Sequence, residues 1–456
     1  MTDHSTLHLS IVENQSRFRE LVHDSLRYAK SIGASDAVAE VSESGGLDVS
    51  VRNKDIETVE QTHDRSLDVT VFAGQSRGSA STSDFSTKAL QETVQAAWHI
   101  ARYTAADPAA GLPDTDLLAF DYPDLELYYP WPISTDEAAA LALQAEAAAR
   151  SVSPLITNTE GASVSTFEGS FVMGNSRGFT GGYPYSRHSV SVAPIAGRGA
   201  SMQRDYWYSA QRRPELLASA QAVGRYAAQR TLSRLSARRI KTGHFPVLFE
   251  APLAVGLLGA LVQATSGGAL YRKASFLLDS LGQPVLSDHL DVSEKPHIIA
   301  GMGSSPFDNE GVRTQSREVV TGGVLQGYFL STYTARKLKM RTTGNAGGSH
   351  NLDLTSRLTQ PADDLRAMLK KMGMGLLVTE LIGQGVNYVT GDYSRGAFGY
   401  WVENGEICHA VQEVTIAGNL ADMFKRIVAV GSDVIVRGSK CTGSILLEQM
   451  AIAGSR

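Results

Sequence analysis

"GLDVSVRNKDIETVEQ", residues 46–61, decides how the chain is read. Leu47, Val49 and Val51 alternate with Asp48, Ser50 and Arg52, the period of a strand with one buried face. Asn53-Lys54 then supplies a turn, because asparagine tolerates the left-handed backbone that a tight hairpin needs. "SLDVTVFAGQSRGSAS" (66–81) repeats the device, with Leu67, Val69 and Val71 alternating ahead of a Gly74 turn. Helical spacing flanks the strands: Phe18, Leu21, Val22 and Leu26 mark a helix over 14–31, and another is expected from Thr87 to Tyr103. The opening stretch, 1–105, thus reads α-β-β-β-α, an α+β unit.

Working outward, "TAADPAAGLPDTD" (104–116) has the composition of a linker. Beyond it Ser134-Thr135-Asp136-Glu137 opens an alanine-rich helix to about Ser151, its carboxylates well placed against first-turn amides. Short strands with glycine turns and a helix near 214–236 complete a second unit, 117–238, similar to the first in element order. "ARRIKTGHFPVLFE" (237–250) opens a C-terminal region, 239–456. There a strand leads into the apolar run 252–264, and hairpins are expected at Gly322-Gly323 and Asn404-Gly405. One amphipathic helix, 361–372, puts Leu365, Met368, Leu369 and Met372 on a face and has Gly373 or Gly375 as its stop. The fold class is α+β with two large lobes, the N-terminal one of α/β-hairpin units, the C-terminal one rich in antiparallel strands.

Composition narrows the function classes. At 456 residues, with 43% hydrophobic and 20% charged residues, the chain is globular and large enough for several cores. Its net charge of 42 − 47 = −5 argues against a nucleic-acid platform. Two cysteines, Cys408 and Cys441, rule out a disulfide framework. The first residues, "MTDHSTLHLSIVENQSRFRE", lack a secretory pattern, and no apolar run is long enough to span a bilayer, so a cytoplasmic protein is expected.

The eleven histidines include no His-Glu-x-x-His helix, and His4 and His8 lie in a terminal stretch without pattern. Cys408 and His409 are neighbours in an alternating strand, so they point to opposite faces. "TTGNAGGSHN" (342–351) lacks the strand-to-helix setting of a phosphate loop. Asp308 and Glu310 are spaced to share a cation but read better as caps of a turn. "TGDYSRGAFGYWVENGEI" (390–407) gathers Asp392, Tyr393, Arg395, Tyr400 and Trp401 between glycines: either a surface for an extended peptide or a partner, or a tight loop in which Arg395 pairs with Asp392.

The sequence resembles the TldD/PmbA family, in its PmbA (TldE) branch, over nearly its whole length. The resemblance is carried by "SRGSASTSDFS" (76–86), "ITNTEGAS" (156–163), "GNSRGF" (174–179), "RTLSRLS" (230–236), "YRKASF" (271–276), "FLLDSLGQPVL" (276–286), "SSPFDNEGVRT" (304–314), "TGNAGGSHN" (343–351), "GDYSRGAFGYWVENGEI" (391–407) and "EVTIAGNL" (413–420). It implies a cytoplasmic subunit of a zinc-dependent peptidase that degrades or matures unfolded peptides, built from a TldD chain and a PmbA chain. The family also carries the label modulator of DNA gyrase. TldD chains bear His-Glu-x-x-x-His on a helix and a late cysteine ligand; the resemblance sets Pro252, Leu253 and Leu257 at those helical positions and Cys441 at the cysteine.

The expectation is therefore a chain with no catalytic residues and no metal of its own, Cys441 being a relic ligand position, and with zinc held by the TldD partner. A heterodimer with that partner, a homodimer when alone, and an unfolded peptide substrate follow from the resemblance. Two alternatives remain open at this point. One is an autonomous metallopeptidase using His289, His297, His350 and Cys441; the other is a non-enzymatic regulator acting on gyrase or an RNA-regulatory protein.

Overall fold

The computed structural model describes residues 12–454, so His4 and His8 lie outside the described residues. The chain divides into two compact units. The first comprises residues up to Leu232 with Ile299–Gly301 and Pro306–Thr314; the second comprises Ser233–Ile298, Met302–Ser305 and Gln315 onward. The fold is α+β.

The first unit runs α1 (Gln15–Ser31), β1 (Asp36–Arg52), β2 (Asp55–Ala73), β3 (Ser76–Thr82), α2 (Thr87–Tyr103), α3 (Thr135–Ser151), β4 (Ile156–Asn175), β5 (Thr180–Ala196), β6 (Gln203–Arg204), β7 (Trp207–Gln211) and α4 (Ala220–Ser233). Its strands form one sheet ordered β3-β2-β1-β4-β5-β6, with β7 also on β5. The two expected units are thus halves of a single sheet joined by the antiparallel β1–β4 pair. That join needs close backbones: a Cβ on Gly46 would lie 2.3 Å from the Thr166 carbonyl oxygen. The linker stretch is not loose, since Ala109 and Leu112 within it are buried.

The β1–β2 hairpin turns at Asn53 (φ 53°) and Lys54 (φ 72°). Its turn is pinned by a buried carboxylate on α3: Glu146 accepts the Asn53 amide at 2.7 Å and the Lys54 amide at 2.9 Å. Ser134 and Glu137 form a capping box at the start of α3. Val41, Leu67, Val69 and Val71 pack with Phe18 and Val22 of α1 and with Leu90 and Val94 of α2.

The second unit runs β8 (Gly243–Phe249), α5 (Ala251–Ala264), α6 (Gly267–Tyr271), β9 (Leu290–Lys295), β10 (Arg317–Thr321), β11 (Val324–Leu325), α7 (Thr332–Lys337), β12 (Asn351–Ser356), α8 (Leu365–Met372), β13 (Gly375–Ile382), β14 (Asp392–Glu403), β15 (Glu406–Asn419), α9 (Leu420–Lys425), β16 (Ile427–Val430), β17 (Ile435–Arg437), β18 (Lys440–Thr442) and β19 (Ile445–Ala453). One sheet is ordered β11-β10-β9-β12-β18-β17, the other β15-β14-β13-β8-β19-β16. Because β15 also pairs with β19, five strands of the second sheet close into a ring. Closure removes free edges. Residues from α5 and from both sheets, among them Leu258, Leu261, Val292, Leu352 and Val378, form one core. No helix among the described residues is long and apolar enough to cross a membrane.

Candidate functional site

Helix α5 follows β8 directly and begins at Ala251-Pro252, where a proline costs no hydrogen bond because first-turn amides have no intrahelical acceptor. The three positions at issue carry hydrocarbon. Leu257 is 4% exposed and sits in the core, Leu253 packs against that core, and Pro252 is half-buried. A catalytic zinc takes nitrogen, sulfur or carboxylate donors, and no adjustment of geometry gives these side chains a lone pair. The residues present do not fit the ion that the resemblance implies.

Cys441 lies on β18, which packs against α5, but its thiol is turned elsewhere. Its strand neighbour Lys440 is the residue that meets the helix: its Cε would lie 3.7 Å from a Cβ on Gly259. Burial holds the Lys440 ammonium below its usual range. Adjacent strand residues face opposite ways, so Cys441 points to the other side of the sheet. There it sits in register with Asp353 of β12. Burial pushes the Cys441 thiol up to about 12; a hydrogen bond to the Asp353 carboxylate and its charge add to this, while Lys295 opposes it. Asp353 itself accepts from Lys295 Nζ at 2.7 Å. A thiol so held keeps its proton at neutral pH, which makes it a poor nucleophile.

Of the four alternative ligands, His289 and His350 are each engaged in hydrogen bonds of their own. His289 uses both ring nitrogens, Nδ1 with the Ser356 hydroxyl at 2.7 Å and Nε2 with the Ile427 carbonyl at 2.8 Å. His350 places Nδ1 2.9 Å from Glu294 Oε1, and its backbone amide donates to the same oxygen at 2.8 Å. His297 is largely exposed, and partial desolvation of its ring, followed by the charge of nearby His350, lowers its pKa. Among the described residues no three His, Cys, Asp or Glu side chains are grouped to hold a metal ion. Asp308 caps its own turn, accepting the Glu310 and Val312 amides at 2.9 and 3.0 Å.

The polar centre of this sheet is Glu294, which the sequence reading passed over. Besides His350 it accepts Asn345 Nδ2 at 2.8 Å and Arg317 Nε at 2.7 Å, with its side chain 1% exposed. Burial alone would raise its pKa, but the hydrogen bond from His350, the Arg317 charge and the His350 charge outweigh it and bring it down to about 2. A signal was present in the sequence. Leu290, Val292 and Glu294 alternate inward on β9, and a carboxylate on an apolar face has to be paired. Its donors Asn345 and His350 both come from the "TGNAGGSHN" loop.

The 392–401 segment is strand β14, and alternation divides its residues. Tyr393 and Trp401 face the core at 5% and 9% exposure, so they offer no surface to a peptide. Burial pushes the Tyr393 phenol up to about 12, against the neighbouring Arg395. Trp401 stacks edge-on against Phe245 and donates Nε1–H to Glu403 at 2.9 Å. Tyr400 is half-buried, edge-on to Phe398. Asp392 is exposed and accepts from Thr390 at 2.6 Å and Asn419 at 3.3 Å, while Arg395 bonds to Tyr393.

Comparison with known proteins places these features. The chain matches the PmbA/TldA metallopeptidase domain 1 over 37–101, the central domain over 128–235 and the C-terminal domain over 242–454. It is 48% identical to Metalloprotease PmbA of Escherichia coli O157:H7 over 98% of each chain. It is 47% identical to a Metalloprotease PmbA homolog of Haemophilus influenzae over 97% of each. Among solved structures, a Bacteroides thetaiotaomicron protein described as a candidate modulator of DNA gyrase superposes with a TM-score of 0.90 at 27% identity, covering 97% of this chain and all of that one. TldE from Thermococcus kodakarensis shares the fold, with a TM-score of 0.82 over 95% of this chain at 18% identity. With all three domains matched in order and near full-length identity to PmbA proteins, this chain belongs to the PmbA/TldD metallopeptidase family.

Proposed function

We propose that this chain is the non-catalytic, metal-free subunit of a PmbA/TldD-type zinc metalloprotease acting on unfolded peptides in the cytoplasm. The observation that carries the reading is the chemistry of α5: proline and two leucines stand at the positions where zinc ligands and a water-activating base are required. Cys441 adds nothing to α5, because it lies in register with Asp353 on the other face of the sheet. The metalloprotease name of its relatives is then a property of the assembly, and the zinc belongs to a TldD partner. The chain pairs with that partner and self-associates in its absence, since related surfaces in one family are self-complementary.

The test mixes the purified chain with a TldD homologue and follows cleavage of an unstructured fluorogenic peptide. Cleavage needs both chains, survives Cys441→Ala here, and vanishes when the partner loses its zinc ligands. Cleavage by this chain alone, tracking a stoichiometric metal, overturns the reading.

A further inference from the structure

Strand β2 is 19 residues long, but β3 covers only Leu67–Ala73 of it. Among the described residues Asp55–Ser66 is paired on one side alone, by β1. Every residue from Asp55 to Arg65 is exposed. A free edge of this length presents alternate N–H and C=O groups ready to pair with another strand. Its start is anchored, because Glu146 pins the turn that precedes it. Chains commonly protect such edges with charge, and mixed charge would serve that end. Here acid predominates: Asp55, Glu57, Glu60 and Asp64 stand on the edge, Glu57 within 3.5 Å of Arg52, while Arg65 is turned to the Ser83 carbonyl at 2.8 Å and the Phe85 ring and His63 is held by Glu43 at 2.7 Å.

The register shows a second feature. Asp48 lies directly opposite Glu60, and Glu40 directly opposite Asp68, all four on one face of the β1–β2 pair. Like charges directly opposite destabilise a sheet, and a cation laid between them relieves the repulsion. The other face of the edge carries exposed Ile56 and Val59.

We propose that Asp55–Ser66 is a docking strand for an extended cationic polypeptide whose lysine or arginine side chains face Glu60 and Asp64 and whose apolar side chains lie against Ile56 and Val59. Recognition joins backbone pairing to alternate side-chain contacts, the mode of β-strand addition. A second copy of β2 is a poor occupant, since it would set carboxylates against carboxylates. The surface belongs to the first unit by itself and stands whether or not the chain completes a protease.

The experiment titrates the intact chain, without any partner, into fluorescein-labelled acetyl-(Val-Lys)4-amide at low salt and reads anisotropy. Saturable binding is expected, about tenfold weaker for the Val-Glu counterpart. The Glu60→Lys/Asp64→Lys variant, whose changes are at exposed positions, reverses that preference. Methylating the backbone nitrogens of the peptide at one set of alternate residues abolishes binding, and at the other set does not. Hydrogen exchange slows in 55–66 of the bound chain. Absence of saturable binding, an unchanged preference in the double variant, indifference to both methylation sets, or protection confined to other residues each overturns the proposal.

Discussion

Replacing Glu294 by Gln removes the charge at the centre of the second unit's open sheet while leaving its volume almost unchanged. In the native chain one carboxylate faces four donors: the His350 amide and ring, Asn345 Nδ2 and Arg317 Nε, all within 2.9 Å. A glutamine keeps one acceptor and sets an NH2 group against the donors that remain, including a guanidinium. The folded carboxyl has its pKa at about 2, against an ordinary value of 4.5. At about 1.4 kcal/mol for each pH unit of difference, the charge contributes roughly 3 kcal/mol to folding. Because the folded value is the lower one, this contribution is fully present above about pH 4.5 and disappears as the pH falls towards 2. The assay is urea unfolding followed by Trp401 fluorescence, in a background where Trp98, Trp131 and Trp207 are phenylalanine so that the first unit is silent. At pH 7 the variant should lose roughly 3 kcal/mol, and the gap should shrink progressively between about pH 4.5 and pH 2. Equal midpoints at pH 7, or a gap that persists unchanged into acid, would refute the assignment of Glu294 as an ionised structural anchor.

Three further outcomes are expected. Iodoacetamide at pH 8.5 should label exposed Cys408 and spare Cys441, and Asp353→Asn should speed labelling at Cys441 by removing the negative charge that helps keep its proton on; peptide mass spectrometry reads both. Glu146→Gln should cost about 2 kcal/mol by setting an NH2 group against one of the two amides at the β1–β2 turn, visible as faster hydrogen exchange at Asn53 and Lys54. Leu257→Ala should cost about 2–5 kcal/mol in the second unit without altering the peptidase activity of a reconstituted complex, since the side chain is core filler.

Legibility in the sequence followed the range of the interactions. Helix α2 lies over Thr87–Tyr103 as its periodicity requires, and the turns at Asn53-Lys54, Gly322-Gly323 and Asn404-Gly405 are where their residues put them. Those features are set by residues a few positions apart. Helix α8 begins at Leu365, four residues later than its apolar pattern alone suggests, because the Asp364 side chain caps the Ala367 amide. Helix α4 begins at Ala220 and not near 214, where Pro214 starts only a short 3-10 turn. The joining of two α+β units into one sheet was not legible, since the β1–β4 pair links residues more than a hundred positions apart. Nor was the fate of Tyr393 and Trp401. Their enrichment beside Arg395 suggested a surface, but alternation along β14 turns both inward.

The same alternation explains why Cys441 cannot be understood from the company it keeps in sequence. Between Lys440 and Thr442 the chain takes a single strand step per residue, so lysine and cysteine report on opposite faces of one sheet. On the face of α5, where zinc chemistry would have to occur, the strand contributes Lys440, a cation, against a helix of hydrocarbon and glycine. A positive charge there opposes a second positive charge, so the strand and the helix disfavour a metal independently. On the far face the cysteine serves Asp353 as a hydrogen-bond donor, and that carboxylate is already paired with Lys295. Restoring histidine and glutamate to α5 would accordingly leave Cys441 on the far face of the strand. The helix would gain donors, but the thiol would still face Asp353, and the strand would still present Lys440 to the helix.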